Sequence, residues 1–216
     1  MNKTKLRLSL LLLGSLALGS CSKSGGNEFT AEGTITDAAG KTLYLETTDT
    51  DEPQLIDSVT LDEKGRFRFR REAHSYPAFY RLRLGESFIP FAADSVTHLT
   101  LSASGKDLFS TYKIESGDEA NKQIREIGQL RTATDKAIEA ILTQLNNGTL
   151  DRGIALARID SLSTQLKNTL TSKYIFSDPK GAAAYYALFQ SYLGGTYFSI
   201  DHPGDDRAFA AVATAY

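Results

Sequence analysis

The apolar residues of this chain keep one period up to about Ile114 and another after Glu119, and that change divides what the two parts can fold into. From Phe29 to Ile114 they recur at every second position. Phe29, Ala31, Gly33 and Ile35 alternate with polar residues, and Arg66-Phe67-Arg68-Phe69-Arg70 is the cleanest run. A period of two puts successive side chains on opposite faces of a pleated strand, so the phenylalanines are expected toward a core and the arginines toward water. Leu43 and Leu45, Val59 and Leu61, Tyr80 to Leu84, Phe88 to Ala92, Val96 to Leu101 and Tyr112 to Ile114 supply further strands. Between them lie a turn at Asp37-Ala38-Ala39-Gly40, an acidic loop at 48–54 and a connection at Asp62-Glu63-Lys64-Gly65, which reads as a hairpin. About seven or eight short strands at this spacing predict an antiparallel β-sandwich or partly closed barrel over residues 29–115.

Beyond Ser116 the period is helical. Ser116-Gly117-Asp118-Glu119 reads as a capping box, in which Ser116 and Glu119 each satisfy an orphan backbone N–H. Ile124, Ile127, Ile138, Ile141 and Leu145 form one stripe, interrupted at Arg131 and Thr134. Asn146-Asn147-Gly148 stops this helix and Thr149 caps a second, with Ile159, Leu162, Leu166 and Leu170 as its seam. A helix of about 25 residues is roughly 37 Å long, against about 20 Å for a six-residue strand. The predicted long helix hairpin therefore overhangs the strands and must pack on itself or another element. A third helix is expected from Lys180 to Leu193, ended by Gly194-Gly195. A last one from Asp205 or Asp206 would place Phe209, Val212, Ala213 and Tyr216 on one face. The fold class expected is α+β by segments. Residues 116–216 read as a helical connector, and the apolar face that runs to Tyr216 reads as an element cut short before a further domain.

The amino end has another purpose. Lys3, Lys5 and Arg7 precede an apolar run from Leu8 to Leu18, and Leu18-Gly19-Ser20-Cys21 closes it with small residues. This is the order of a secretory signal. The apolar run is about a dozen residues, short of the roughly 20 that span a bilayer. Leu-Gly-Ser-Cys resembles the lipobox of bacterial lipoproteins, which implies cleavage before Cys21, lipidation of its sulfur and acylation of its new amino group. Ser22-Lys23 carries no aspartate. By resemblance to Gram-negative lipoproteins this implies a lipid anchor in the outer membrane rather than inner-membrane retention, and the lack of an acidic run after Cys21 favours the periplasmic side over display at the cell surface. Residues 22–28 read as a flexible tether. Cys21 is the single cysteine, so a lipidated chain has no thiol left for a disulfide, a redox pair or a metal.

Composition narrows the function classes. Apolar residues are 41% and charged residues 23% of the chain, as in ordinary globular proteins, and the formal net charge of −2 gives no electrostatic footprint for nucleic acid. His74, His98 and His202 stand apart from one another with no metal-ligand spacing, and His98 falls on the outer face of its strand. The glycine pairs lack the lysine of a phosphate loop, and no Gly-x-Ser-x-Gly occurs. No catalytic residue, metal site or cofactor is expected. Arg66, Arg68, Arg70, Arg81 and Arg83 would share one solvent face if their strands were neighbours, giving an anion or acidic-partner surface. The alternative, which weighs more, is a sheet face neutralised by cross-strand acids such as Asp57, Asp62 and Glu63. The ten tyrosines raise carbohydrate stacking, but Tyr185, Tyr186, Tyr192 and Tyr197 are expected to pack the third helix and its exit. Asn147-Gly148-Thr149 reads as a helix-breaking turn.

Several segments taken in order carry a wider likeness: Gly33-Thr34-Ile35, Lys41-Thr42-Leu43-Tyr44-Leu45, Ile56-Asp57-Ser58-Val59, Gly65-Arg66-Phe67-Arg68-Phe69, Pro77-Ala78-Phe79-Tyr80-Arg81-Leu82, and Ile114 through Asn121. Together they resemble a family of Gram-negative periplasmic lipoproteins in which an uncharacterised β-rich domain and a helical segment precede a thioredoxin-like domain of the alkyl-hydroperoxide-reductase and thiol-specific-antioxidant type. The redox activity of that family resides in a Cys-x-x-Cys of the thioredoxin-like part, which this sequence lacks. The resemblance implies a non-catalytic, membrane-tethered accessory module that positions a thioredoxin-like domain or binds a periplasmic protein. A free-standing glycan- or peptide-binding lipoprotein is one alternative. A piece of a longer thiol-disulfide oxidoreductase is another.

Overall fold

The computed structural model describes residues 27–48, 52–192 and 195–215. The signal segment, Cys21 and most of the expected tether lie outside the described residues. So does Tyr216.

Seven strands fill the first part: β1 (Glu28–Thr36), β2 (Thr42–Thr47), β3 (Gln54–Thr60), β4 (Arg66–Glu72), β5 (Ala78–Leu84), β6 (Ser87–Ala93) and β7 (His98–Ser104). A one-turn helix α1 (Leu108–Thr111) and a short β8 (Lys113–Ile114) follow. They form two four-stranded sheets, β4-β1-β7-β8 and β3-β2-β5-β6, which are not closed into a barrel. The alternation of the sequence is obeyed: Phe67 and Phe69 are buried while Arg66, Arg68 and Arg70 are exposed. Phe29, Leu43, Leu45, Leu82, Ile89, Phe91 and Leu99 meet them between the sheets.

Two pairings differ from the sequence expectation. β1 and β7 run parallel, with Ala31 opposite Leu99 and Gly33 opposite Leu101, so the first sheet is mixed. The chain visits the second sheet between these strands and returns in the same direction on the other flank of β1. Asp62-Glu63-Lys64-Gly65 is also not a hairpin. β3 and β4 lie at the edges of different sheets, and the turn carries the chain round the corner between them. Either route buries the same alternating residues, which is why periodicity does not separate them. Gly65 sits at that corner with φ +74°, and its carbonyl accepts the N–H of Ile35 at 2.8 Å.

The helical part comprises α2 (Glu119–Asn146), α3 (Arg152–Leu170) continuing through a π-helical turn at Thr171–Ile175, α4 (Ala182–Leu188) and α5 (Asp206–Ala213). The caps shift from those expected. Asp118, not Ser116, caps α2, its carboxylate accepting the Asn121 N–H at 2.9 Å. Asp151, not Thr149, caps α3, accepting the N–H groups of Gly153 and Ile154. A carboxylate beside the first turn both bonds the orphan donors and meets the positive end of the helix dipole. The third helix ends at Leu188, earlier than expected. Gln190 folds back to donate Nε2 to the Tyr186 carbonyl at 2.7 Å, and Ser191–Tyr192 (β9) pairs with Gly195–Thr196 (β10).

The polar gap in the α2 stripe has a structural cause. Asp135, nearly buried, accepts the Tyr197 hydroxyl at 2.6 Å and pairs with Arg131 at 2.7 Å. Lys167 and the Ser199 N–H both reach Asp205. These bonds fasten the segment after α4 to the helix hairpin. The α2 and α3 hairpin in turn packs on α4 and on β6. Ala92, on the outward face of β6, belongs to the helical core with Ile124, Ile127, Leu170 and Leu188. Among the described residues no helix is long and apolar enough to cross a membrane.

Candidate binding groove

The five arginines singled out in the sequence do not share a face, because β4 and β5 belong to different sheets. Arg66 pairs with Asp62 at 2.7 Å, Arg68 with Glu32 at 3.3 Å and Arg70 with Glu28 at 2.5 Å, all on the exposed side of the first sheet. Exposed pairs of this kind contribute little individually, about 0–1 kcal/mol. Of the expected partners Asp62 serves Arg66, whereas Asp57 pairs with Arg71. Arg81 and Arg83 stand apart from these on the second sheet. Their Nε atoms converge on the two oxygens of Glu46 at 2.5 and 2.7 Å, and Glu46 is only 5% exposed. Arg83 also lies 4.4 Å over the Tyr44 ring and Arg81 5.1 Å from the centre of Phe88. Two guanidinium groups on one carboxylate leave this face with one positive charge in excess.

Burial pushes the Glu46 carboxyl up, but the hydrogen bonds and charges of Arg81 and Arg83 outweigh it and hold the group below its ordinary 4.5. A carboxylate with a depressed folded value stabilises above its unfolded value, and that contribution is lost as pH falls through the folded one. Glu46→Gln should therefore cost about 1–3 kcal/mol at pH 7, and the gap to the parent chain should narrow below pH 4.5. Urea unfolding across that range measures it.

The same strands build a groove. Phe79 and Arg81 point outward from β5, and Phe88 and Pro90 from β6. The helical layer covers the Ala92 end of this face and stops short of the other. A trough of about 810 Å³ remains, walled on the strand side by Tyr76, Phe79, Arg81 and Phe88 and on the helix side by Tyr185 and Phe189. Phe79 stacks on Tyr185 with ring centres 5.3 Å apart, and Tyr185 meets Phe189 at 4.7 Å. Phe189 touches Phe209 edge-on at 6.3 Å, opening a second recess of about 520 Å³ lined by Leu188, Ile200, Phe209 and Val212. Phe189 is 53% and Tyr185 41% exposed despite their size. Exposed rings gathered along one trough make it the candidate binding surface of the described residues. Arg81 is the one charged side chain among the described residues that line the trough. Tyr186 also lines the trough, its phenol pushed up by burial.

In the sequence Tyr185 reads as a packing residue, and Phe79, Phe88 and Phe189 taken singly carry no signal for a site. Tyr186 and Tyr197 do pack as expected. The i, i+4 spacing of Tyr185 and Phe189, set beside the outward register of Phe79 and Arg81, is the signal for the groove. His98 is exposed, its Nδ1 2.9 Å from the Thr30 hydroxyl, and His74 stacks on Tyr76. Among the described residues no group of three or more His, Cys, Asp and Glu side chains is gathered as for a metal ion.

Residues 29–123 match a family described as a domain of unknown function (DUF4369). The match takes in both four-stranded sheets and ends in the second turn of α2. The strand wall of the groove thus belongs to the matched domain, and its helix wall, Tyr185 on α4 and Phe189 just after it, lies beyond it. Comparison with curated proteins gives no match.

Proposed function

We propose that this chain is a non-catalytic binding module, lipid-anchored through Cys21 to the outer membrane on its periplasmic side, which holds a partner against the junction between its sheets and its helices. The observation that carries this reading is the exposed aromatic trough, walled jointly by β5, β6 and α4. Solvent-facing rings contribute affinity at low conformational cost, since few torsions are frozen when a ligand stacks on them. The lipobox-like Leu18-Gly19-Ser20-Cys21 supports the anchor. The DUF4369 match supports the kinship of the strand domain to the β-rich part of the lipoproteins described above, in which a thioredoxin-like domain is the natural partner to be positioned.

Two measurements test the reading. Cells expressing the chain with labelled palmitate should yield a labelled product, and Cys21→Ser should abolish the label. An unlabelled product, or one that retains Met1, refutes the anchor. A thermal-shift screen against glycans and peptides should find at least one stabilising class whose effect disappears in a Tyr185→Ser, Phe189→Ser double variant. No stabilisation across a broad panel would refute the groove as a binding site.

A further inference from the structure

The trough is aromatic along its length and cationic at one point, and that combination selects a ligand. We infer that it binds an extended apolar peptide segment carrying a carboxylate, with the carboxylate paired to Arg81 and the apolar residues laid along Phe79, Tyr185 and Phe189. This rests on the reading of the trough as a binding surface and goes further by naming what fills it.

Three observations carry the inference. First, Arg81 uses Nε for Glu46, and its two terminal amino groups have no hydrogen-bond partner among the described residues. Glu46 cannot neutralise it fully, because the same carboxylate also serves Arg83. A guanidinium with free donors, partly shielded from water against Phe88, is complementary to a carboxylate. Second, the rings form a chain of contacts from Phe79 through Tyr185 and Phe189 to Phe209, with centres 4.7–6.3 Å apart. A polyproline-type strand rises about 3.1 Å per residue and presents apolar faces to such rings without further ordering cost. Third, Tyr185 and Phe189 line the second recess as well as the trough, so the apolar surface extends past the trough on the helix side, with Asp206 the one charged residue among the described residues lining that far recess and Arg81 the one lining the trough. Neutral glycans fit less well. The lining offers the hydroxyls of Thr48 and Ser191, but a neutral glycan would leave the Arg81 charge without a counter-ion of its own.

A library of linear decapeptides displayed on phage, panned over the immobilised chain, tests the inference. Enriched sequences should combine proline or aromatic residues with an aspartate, a glutamate or a free carboxy-terminus. A synthetic peptide made from the consensus should bind about tenfold more weakly when its acid is replaced by the amide. That difference should fall below about twofold in Arg81→Gln and be only partly kept in Arg81→Lys, which retains the charge but not the paired donors. Binding of the acidic peptide to the parent chain should also weaken as salt is raised, a readout that does not depend on either variant folding. Enriched peptides that bind equally well as acid and amide would overturn the carboxylate assignment and leave the trough as a neutral binding site. Absence of enrichment over the Tyr185→Ser, Phe189→Ser variant would overturn the peptide assignment. Glycan stabilisation lost in that same variant would then keep the groove and change its ligand class.

Discussion

Replacing Asn121 by leucine should cost about 3 kcal/mol of stability and loosen the helical layer from the strands. Asn121 lies in the first turn of α2 and is 2% exposed. Its Oδ1 accepts the Ala92 N–H at 2.8 Å, and its Nδ2 donates to the Ala92 carbonyl at 2.8 Å and to Asp118 at 2.7 Å. The side-chain amide thus stands in for a neighbouring strand at the free edge of β6, at a residue that is itself buried in the helical core. Leucine keeps the branched shape and heavy-atom count and leaves both backbone groups of Ala92 in an apolar setting with no partner, each worth about 1–3 kcal/mol. Aspartate should be no better, since its charge would face the Ala92 carbonyl and Asp118. Urea unfolding gives the magnitude, and amide exchange at Ala92 gives the mechanism: it should accelerate more than exchange at Leu45 in the sheet interior. The consequence reaches the groove. α2 carries α4 toward β5, so a chain that folds without this clasp should bind groove ligands more weakly although no lining residue has changed. A loss below about 1 kcal/mol would mean that Ala92 finds water or another partner.

How far the sequence disclosed this molecule depends on the range of the interaction. Strand faces were legible because burial acts on each residue through a period of two, and Phe67, Phe69, Leu82 and Leu101 lie where that period places them. Helix existence was legible for the same reason. Sheet membership was not, because the parallel β1–β7 pairing and the corner at Gly65 depend on residues distant in the chain. The arginines show the same divide. Asp62 is four residues from Arg66 and was named as a partner, whereas Glu28, Glu32 and Glu46 become partners only once pairing sets them beside Arg70, Arg68 and Arg81. The groove is the least local feature. Tyr185 reads as a packing residue of the third helix and Phe189 carries no signal of its own; they become a wall only because the helical layer stops short of Phe88. Local chemistry decided the caps as well: an aspartate directly before each helix displaced the serine and threonine expected to cap it.

Gly65→Ala should be the most damaging single methyl in the strand domain, costing about 3–5 kcal/mol and leaving little folded chain if the parent is only marginally stable. Two effects add. At φ +74° an alanine is strained by about 1 kcal/mol, and its Cβ would lie 2.0 Å from the carbonyl oxygen of Ile35. That atom is backbone in the interior of the fold, held where the Ile35 N–H donates to Gly65 itself, so relief requires parting the two edge connections of the sandwich. Gly85→Ala isolates the first effect. Its φ is +61°, and nothing lies within 4 Å of the added carbon, so about 1 kcal/mol is expected. Gly33→Ala isolates the second. Gly33 lies mid-strand in β1, yet its Cβ would stand 1.8 Å from the Leu101 carbonyl oxygen across the parallel pair. If contact rather than backbone strain dominates, denaturation midpoints should fall in the order Gly85→Ala, Gly33→Ala, Gly65→Ala, with a wide step after the first. Equal losses at Gly65 and Gly85 would show instead that the corner can open, and with it the edge at which β3 in one sheet hands the chain to β4 in the other.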